Sequence, residues 1–196
     1  MRYRATRSLA VLCCALLVGC ASSLMRKSGA GPSAVETERV QVIFMRPSNF
    51  GGAIQASVFD LRPDSNQFVG IVSSGTKVAY LTDPGQHRFM VIGENADFME
   101  ATLAPGKTYY ALVTPRFGWW KARFSLRPVH RAELDGSQSR AWDTDTTFAE
   151  NTSQSEDWAR SHAASIESKK TGYLVKWNDK SASERAENEL RQDDGR

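Results

Sequence analysis

The residues able to do covalent or metal chemistry are few, and their positions restrict what that chemistry is. Cys13, Cys14 and Cys20 are the only cysteines in the 196-residue chain. Everything after Cys20 therefore has no thiol for a disulfide, a zinc site or nucleophilic catalysis. His87, His130 and His162 are scattered, and no two share a metal-ligand spacing; each reads as a surface or turn histidine. Asp60, Asp64, Glu94, Asp97 and Glu100 fall near strand ends, where an acid pair or calcium site could form, but no Asp-x-Asp loop frames them. The nucleophile elbow, phosphate-binding loop, zinc-protease and dinucleotide-binding patterns are missing from the sequence. The reading is of no catalytic residue, no cofactor and no metal, with a triad assembled from distant residues left open. Two aromatic pairs, Tyr109-Tyr110 and Trp119-Trp120, form a candidate binding surface. Adjacent strand residues point to opposite faces, so one of each pair should be core and the other outward, where it could stack on sugar rings or receive a covering helix.

Cys20 is the residue with a chemistry its surroundings specify. Arg2, Arg4 and Arg7 precede an apolar run from Leu9 to Val18, and no acid interrupts it. That run spans about ten residues, below the roughly 20 a membrane-spanning helix needs, so it reads as a secretory signal peptide. It closes on Leu17-Val18-Gly19-Cys20, which resembles the bacterial lipobox. The resemblance implies cleavage after Gly19, a diacylglycerol thioether on the Cys20 sulfur and acylation of the new amine, palmitate-type chains that anchor the protein in a membrane. Ala21 rather than Asp follows the cysteine, which by the same resemblance favours the outer membrane, with the domain facing the periplasm.

These residues must be positioned by the elements that follow. Residues 20–38 are small and polar with glycine, serine and proline, a flexible tether in composition. From 39 to 131, short β-rich runs alternate with turn residues: Val40 to Met45, Ala53 to Phe59, Gln67 to Val72, Lys77 to Thr82, His87 to Ile92, Phe98 to Leu103, Tyr109 to Thr114 and Trp119 to Val129. Pro84-Gly85 and Pro105-Gly106 suit the centre of type II turns. Strands at this spacing with no helical period between them predict a mainly β fold, an antiparallel β-sandwich of seven or eight strands.

The order Val42-Ile43-Phe44-Met45-Arg46-Pro47, Val58-Phe59-Asp60, Thr82-Asp83-Pro84-Gly85-Gln86-His87 and Leu103-Ala104-Pro105-Gly106-Lys107-Thr108-Tyr109-Tyr110 resembles a family of small bacterial lipoproteins of unknown function. Their domain is similar to carboxypeptidase regulatory-like and PEGA-type β-sandwiches. The resemblance spans residues 39–131 and brings no catalytic residue. Asp60 is followed here by Leu61-Arg62-Pro63-Asp64, where the family carries a glycine-bearing segment.

Residues 132–196 change character. Ala132 to Asn151 is polar, a surface loop with Trp142 and Phe148 as docking points. Ser153 and Glu156 have the spacing of a capping box, and Trp158, Ala159, Ala163, Ile166, Tyr173, Leu174 and Trp177 recur on one face, predicting a C-terminal amphipathic α-helix over residues 155–177. Ser181 and Glu184 open a last, charged helix that fades into a disordered end. The chain's net charge of +3 resides in the signal peptide, so the basic balance offers no argument for nucleic acid. Within the mature chain, residues 39–131 hold 11 Lys+Arg and 6 Asp+Glu, while residues 132–196 hold 9 and 14. The expectation is a lipid-anchored envelope protein with a non-enzymatic binding or accessory module, its partners the membrane and an envelope protein or cell-wall polymer. A glycan binder using exposed aromatics, or an envelope hydrolase, stands as the alternative.

Overall fold

The alternating runs fold as strands in a computed structural model, which describes residues 24–29, 31–32, 34–50, 52, 54–116 and 123–196. The segment read as a signal peptide, Cys20, Trp119 and Trp120 lie outside the described residues. The chain forms a mostly β domain of two sheets with C-terminal helices. Eight strands occupy the region where the periodicity predicts them: β2 (Val40–Arg46), β3 (Ala56–Arg62), β4 (Ser65–Val72), β5 (Thr76–Thr82), β6 (Gly85–Ile92), β7 (Ala96–Leu103), β8 (Thr108–Arg116) and β9 (Arg123–Pro128). Three short strands add to them: β1 (Arg26–Lys27), β10 (Thr147–Glu150) and β11 (Glu189–Leu190). One sheet runs β1-β10-β5-β2-β8-β9 and the other β11-β7-β6-β3-β4.

Both sheets are mixed, which corrects the antiparallel expectation. β2 pairs in parallel with β8, β10 with β5, and β11 with β7. Each parallel pair joins segments remote in sequence, as parallel connections require. The inner faces share one core, in which Val42 and Phe44 of β2 and Val113 of β8 meet Val58 of β3, Phe89 of β6 and Met99 of β7. Phe44 and Phe89 meet edge to face, with centroids 5.1 Å apart.

The outer faces are covered as well. Ile43 and Met45 are buried although they point away from the shared core. Met45 and Leu112 lie under Val129, Leu134 and Trp142, from a segment that includes the helices α1 (Arg131–Leu134) and α2 (Ser137–Thr144). Ala132 to Asn151 is therefore two short helices and the strand β10, not a surface loop. Trp142 and Phe148 do dock, under the Arg127 guanidinium and the Lys77 ammonium respectively. On the other sheet, Phe59, Met90, Ile92 and Phe98 are covered by Ile166 and Trp177, with Trp158, Tyr173 and Leu174 beside them.

The covering helix comes in two pieces, α3 (Ser153–Ser161) and α4 (Ala163–Asn178), rather than one. His162 is the break: its ring stacks on Trp158, and its Nδ1 lies 2.8 Å from the Trp158 carbonyl oxygen. The N-cap of α3 is Thr152, one residue before the expected Ser153, and it exchanges bonds with Ser155. Ser181 and Glu184 form the capping box of α5 (Ala182–Ala186) as read from the sequence.

Both ends of the described chain are docked. Met25 is 5% exposed in the shared core, and the Thr152 hydroxyl donates to the Leu24 carbonyl at 2.6 Å, so part of the segment read as a tether is fixed. Gly70, at φ +154°, makes room for this: a Cβ there would stand 3.0 Å from Val78 Cγ1 and 3.1 Å from Met25 Cε. At the other end Leu190 is fully buried, and Arg196 exchanges backbone bonds with Thr108 at 2.8 and 3.1 Å. The expected disordered end is instead a strand and a closing turn.

Candidate functional site

Four polar side chains from the motifs of β2, β3, β6 and β8, namely Arg46, Asp60, His87 and Tyr109, are buried and organise the domain at three places. Arg46 closes β2, fully buried, with its guanidinium 4.7 Å from the Phe124 ring centroid. It donates to the carbonyls of Ile54 at 2.6 Å and Phe50 at 2.9 Å, so a strand-end arginine fixes the loop that follows. Burial pushes this guanidinium below its usual value. Tyr109 opens β8, also fully buried; its hydroxyl accepts from Ala104 N at 2.9 Å and donates to the Gln192 carbonyl at 2.9 Å. It thereby ties the Pro105-Gly106 turn, where Gly106 sits at φ +71°, to the C-terminal segment.

Asp60 and His87 form the third. Three donors converge on Asp60 Oδ2: His87 Nδ1 at 3.0 Å, the Tyr80 hydroxyl at 3.1 Å and an Arg62 guanidinium nitrogen at 2.8 Å. Asp60 Oδ1 is buried with no hydrogen-bond partner. The carboxylate side chain is 0% exposed and the imidazole 1%. Burial, joined by the Asp60 charge, pushes the Tyr80 hydroxyl above the usual phenol range despite the neighbouring Arg62.

An Asp-His pair invites comparison with a catalytic dyad, which keeps Nε2 for a reacting group. Here Nε2 lies 2.9 Å from the Asp83 carbonyl oxygen, and the ring stacks on Phe89 at 5.6 Å. Both ring nitrogens are thus spent on the protein, and what the arrangement does is hold the β5–β6 turn to β3. His87 and Arg62 border a cleft of about 520 Å³. Its cations are matched, Arg62 by Asp60, Arg88 by Glu100 at 2.8 Å and Lys170 by Glu167 at 2.8 Å.

The remaining candidates are distributed as follows. Tyr109 is enclosed and presents no face to a ligand. Tyr110 is half-buried under the Arg196 guanidinium, 4.9 Å from its ring centroid, and its hydroxyl accepts from Arg196. His87, read as a surface or turn histidine, is buried and so not on the surface, and it bonds the Asp83 carbonyl of the β5–β6 turn. His130 Nδ1 lies 3.0 Å from Asp194 Oδ2, while Asp194 also accepts from the backbone N–H groups of Arg131 and Arg191. Among the described residues no group of three His, Cys, Asp or Glu side chains could hold a metal ion, and no helix is long and apolar enough to cross a membrane.

A second cleft, of about 350 Å³, was not legible in the sequence. Arg116 and Arg123, paired in register where β8 ends and β9 begins, line it with Lys176 of α4 and Lys180 just beyond that helix. None of the four takes part in a salt bridge among the described residues. Lys180 Nζ sits 4.3 Å from the Trp177 ring centroid, and the buried Trp177 Nε1 has no hydrogen-bond partner. Two of these cations come from the segment read as acidic overall, so regional net charge concealed them. The available signal was the pair of lysines, Lys176 and Lys180, that flanks Trp177 in the sequence. A scan against protein-family models finds no match to this chain, and a search of curated proteins finds no similar sequence.

Proposed function

We propose that this chain is a lipid-anchored protein of the bacterial cell envelope, held through Cys20 in the outer membrane and facing the periplasm. Its two sheets close over their shared core as a β-sandwich with a non-enzymatic binding or structural role, akin to the small lipoproteins whose motifs it resembles. The observation that carries this reading is Leu17-Val18-Gly19-Cys20 at the end of a short cationic and apolar leader, with no cysteine after it. The non-catalytic part draws support from Asp60 and His87, enclosed and with both imidazole nitrogens committed to the protein. Membrane fractionation of Cys20→Ser tests the anchor. Loss from the membrane fraction with a change in gel mobility is the expected result; retention with unchanged mobility would overturn it.

A further inference from the structure

All 22 Asp and Glu residues of the chain are among the described ones. None of them forms a salt bridge with Arg116, Arg123, Lys176 or Lys180, although Asp97 lines the same cleft. The cleft beside His87 is built differently, with Arg62, Arg88 and Lys170 matched by Asp60, Glu100 and Glu167. Arg116 and Arg123 stand directly opposite each other across β8 and β9, a like-charge pair that disfavours the strand pairing. On the other wall, Lys176 Nζ lies 5.3 Å from the Tyr173 ring centroid and Lys180 Nζ 4.3 Å from that of Trp177, so two aromatic faces position the ammonium groups. Trp177 also lines the cleft, and its buried Nε1 is a donor left without an acceptor. Opposed guanidinium groups, positioned ammonium groups and an unused N–H in one cleft are what an anion completes.

Charge and size select that anion. Four cations against the carboxylate of Asp97 call for more than one negative charge in a small space. A phosphate monoester carries about 1.5–2 near neutral pH, on oxygens whose geometry guanidinium forks match. The volume of about 350 Å³ is at the low end for small-molecule sites, and Tyr173 and Trp177 offer apolar surface to an organic group on the phosphate.

The register of the strands separates solution from bilayer as the source. Arg26 of β1 faces Glu150, and β10 runs parallel to β5 with Phe148 opposite Lys77, so Leu24, two residues before β1, stands near the level of Leu81. Leu81 is level with Gln41, and Gln41 with Thr108. Arg116 closes β8 about 26 Å beyond Thr108. β1 and β9 are also the two edges of the six-stranded sheet, about 24 Å apart. Leu24 and the cleft thus occupy diagonally opposite corners, while the connection from Leu24 to Cys20 spans at most about 14 Å. An anchor at Cys20 brings no lipid headgroup to the cleft.

We propose that this cleft binds a small organic phosphate from solution, its phosphoryl oxygens held between Arg116 and Arg123 on one side and Lys176 and Lys180 on the other. The inference rests on the binding role proposed above and gives it a ligand class.

The test titrates the mature lipidated protein, in phosphatidylcholine nanodiscs, with glycerol phosphate by calorimetry. Fluorotryptophan labelling reports the cleft through the fluorine resonance of Trp177, assigned by its loss in Trp177→Phe. Saturable binding below about 1 mM with a shift of that resonance is the expected result. Arg116→Gln with Arg123→Gln should weaken binding by about tenfold or more, as should Lys176→Gln with Lys180→Gln, whereas Arg26→Gln at the far corner should change it by less than about twofold. Removing the opposed arginines should leave Tm unchanged or raised, so their loss of binding is not loss of fold. Absence of saturable binding up to about 10 mM, equal binding of lactate, or affinity unchanged by the four substitutions would overturn the proposal. A Trp177 shift produced by phosphatidylglycerol in the disc and not by soluble glycerol phosphate would overturn it too, assigning the cleft to lipid. Release of inorganic phosphate from the probe would remove the non-enzymatic reading and keep the site, whereas a protein that fractionates with membranes through Cys20 but does not bind the probe removes only the site.

Discussion

Replacing Asp60 with alanine should show how much of the domain's stability depends on one buried carboxylate. The substitution takes the acceptor from His87, Tyr80 and Arg62 together. Arg62 is one-third exposed and keeps the Thr82 hydroxyl at 2.6 Å, so water and Thr82 offset its loss. His87 has neither recourse, because its side chain is 1% exposed and the neighbouring Phe89 stacks on the ring. An unmatched buried donor costs about 1–3 kcal/mol and the Tyr80 bond adds about 1, which gives about 3 kcal/mol, with about 5 as the upper end for a broken buried pair. At this chain length each kcal/mol moves Tm by about 2–4 °C, so Asp60→Ala should lower Tm by about 6–12 °C. Urea titration followed by circular dichroism measures the loss, and the double variant Asp60→Ala, His87→Phe supplies the control. If the loss comes from stranded donors, adding His87→Phe should recover at least about 1 kcal/mol, because removing both partners is cheaper than removing one. A loss below about 1 kcal/mol for Asp60→Ala, or strict additivity in the pair, would refute the reasoning.

Asp194→Ala strands His130 and two backbone N–H groups at one stroke and should cost about 2–3 kcal/mol, read by the same titration, with faster amide exchange at Arg131 and Arg191. Gly70→Ala should destabilise by about 1–3 kcal/mol through its contact with Val78 and Met25, and Met25→Ala in the same background should reduce that penalty. Burial raises the phenol values of Tyr80 and Tyr109. A raised folded value means that their contribution is fully present below the ordinary phenol range and is lost as pH rises through the folded values, so stability should fall at alkaline pH, and Tyr80→Phe should blunt the fall. Glu133 behaves oppositely. Burial alone would raise its carboxyl, but the Arg127 side chain and the His130 N–H outweigh that and hold it below the usual range, so its contribution is lost as pH falls through the lowered value, and Glu133→Gln should flatten the acid limb of a stability profile.

The strands between Val40 and Pro128 were legible because each buries a regular face and each turn carries its own chemistry, as the positive φ of Gly106 shows. Their pairing was not, since β2 meets β8 in parallel across more than sixty residues of intervening chain. Arg46, Asp60 and His87 were quoted as motif residues, yet a sequence does not say that a charged side chain is enclosed, and such residues are seldom buried unless paired. Ala132 to Asn151 looked like a loop because its helices are short and cover the sheet with few apolar groups, chiefly Leu134 and Trp142. The ordering of the C-terminal segment draws on tertiary contacts, Leu190 in the core, Asp194 on His130 and Gln192 on Tyr109. The cationic cleft joins β8, β9 and α4, a juxtaposition that depends on how α4 lies across the sheet.

Lipidation at Cys20 is the chemistry on which the proposed function depends. If the chain is processed after Gly19, trypsin cleavage after Arg26 releases a peptide that begins at Cys20. Mass spectrometry of that peptide from the membrane fraction should find residues 20–26 starting at Cys20, with a diacylglycerol thioether on the sulfur and an acyl group on the amine. A peptide that continues upstream through Gly19, or that begins elsewhere with an unmodified Cys20 thiol, would show that Cys20 is not the lipid attachment point.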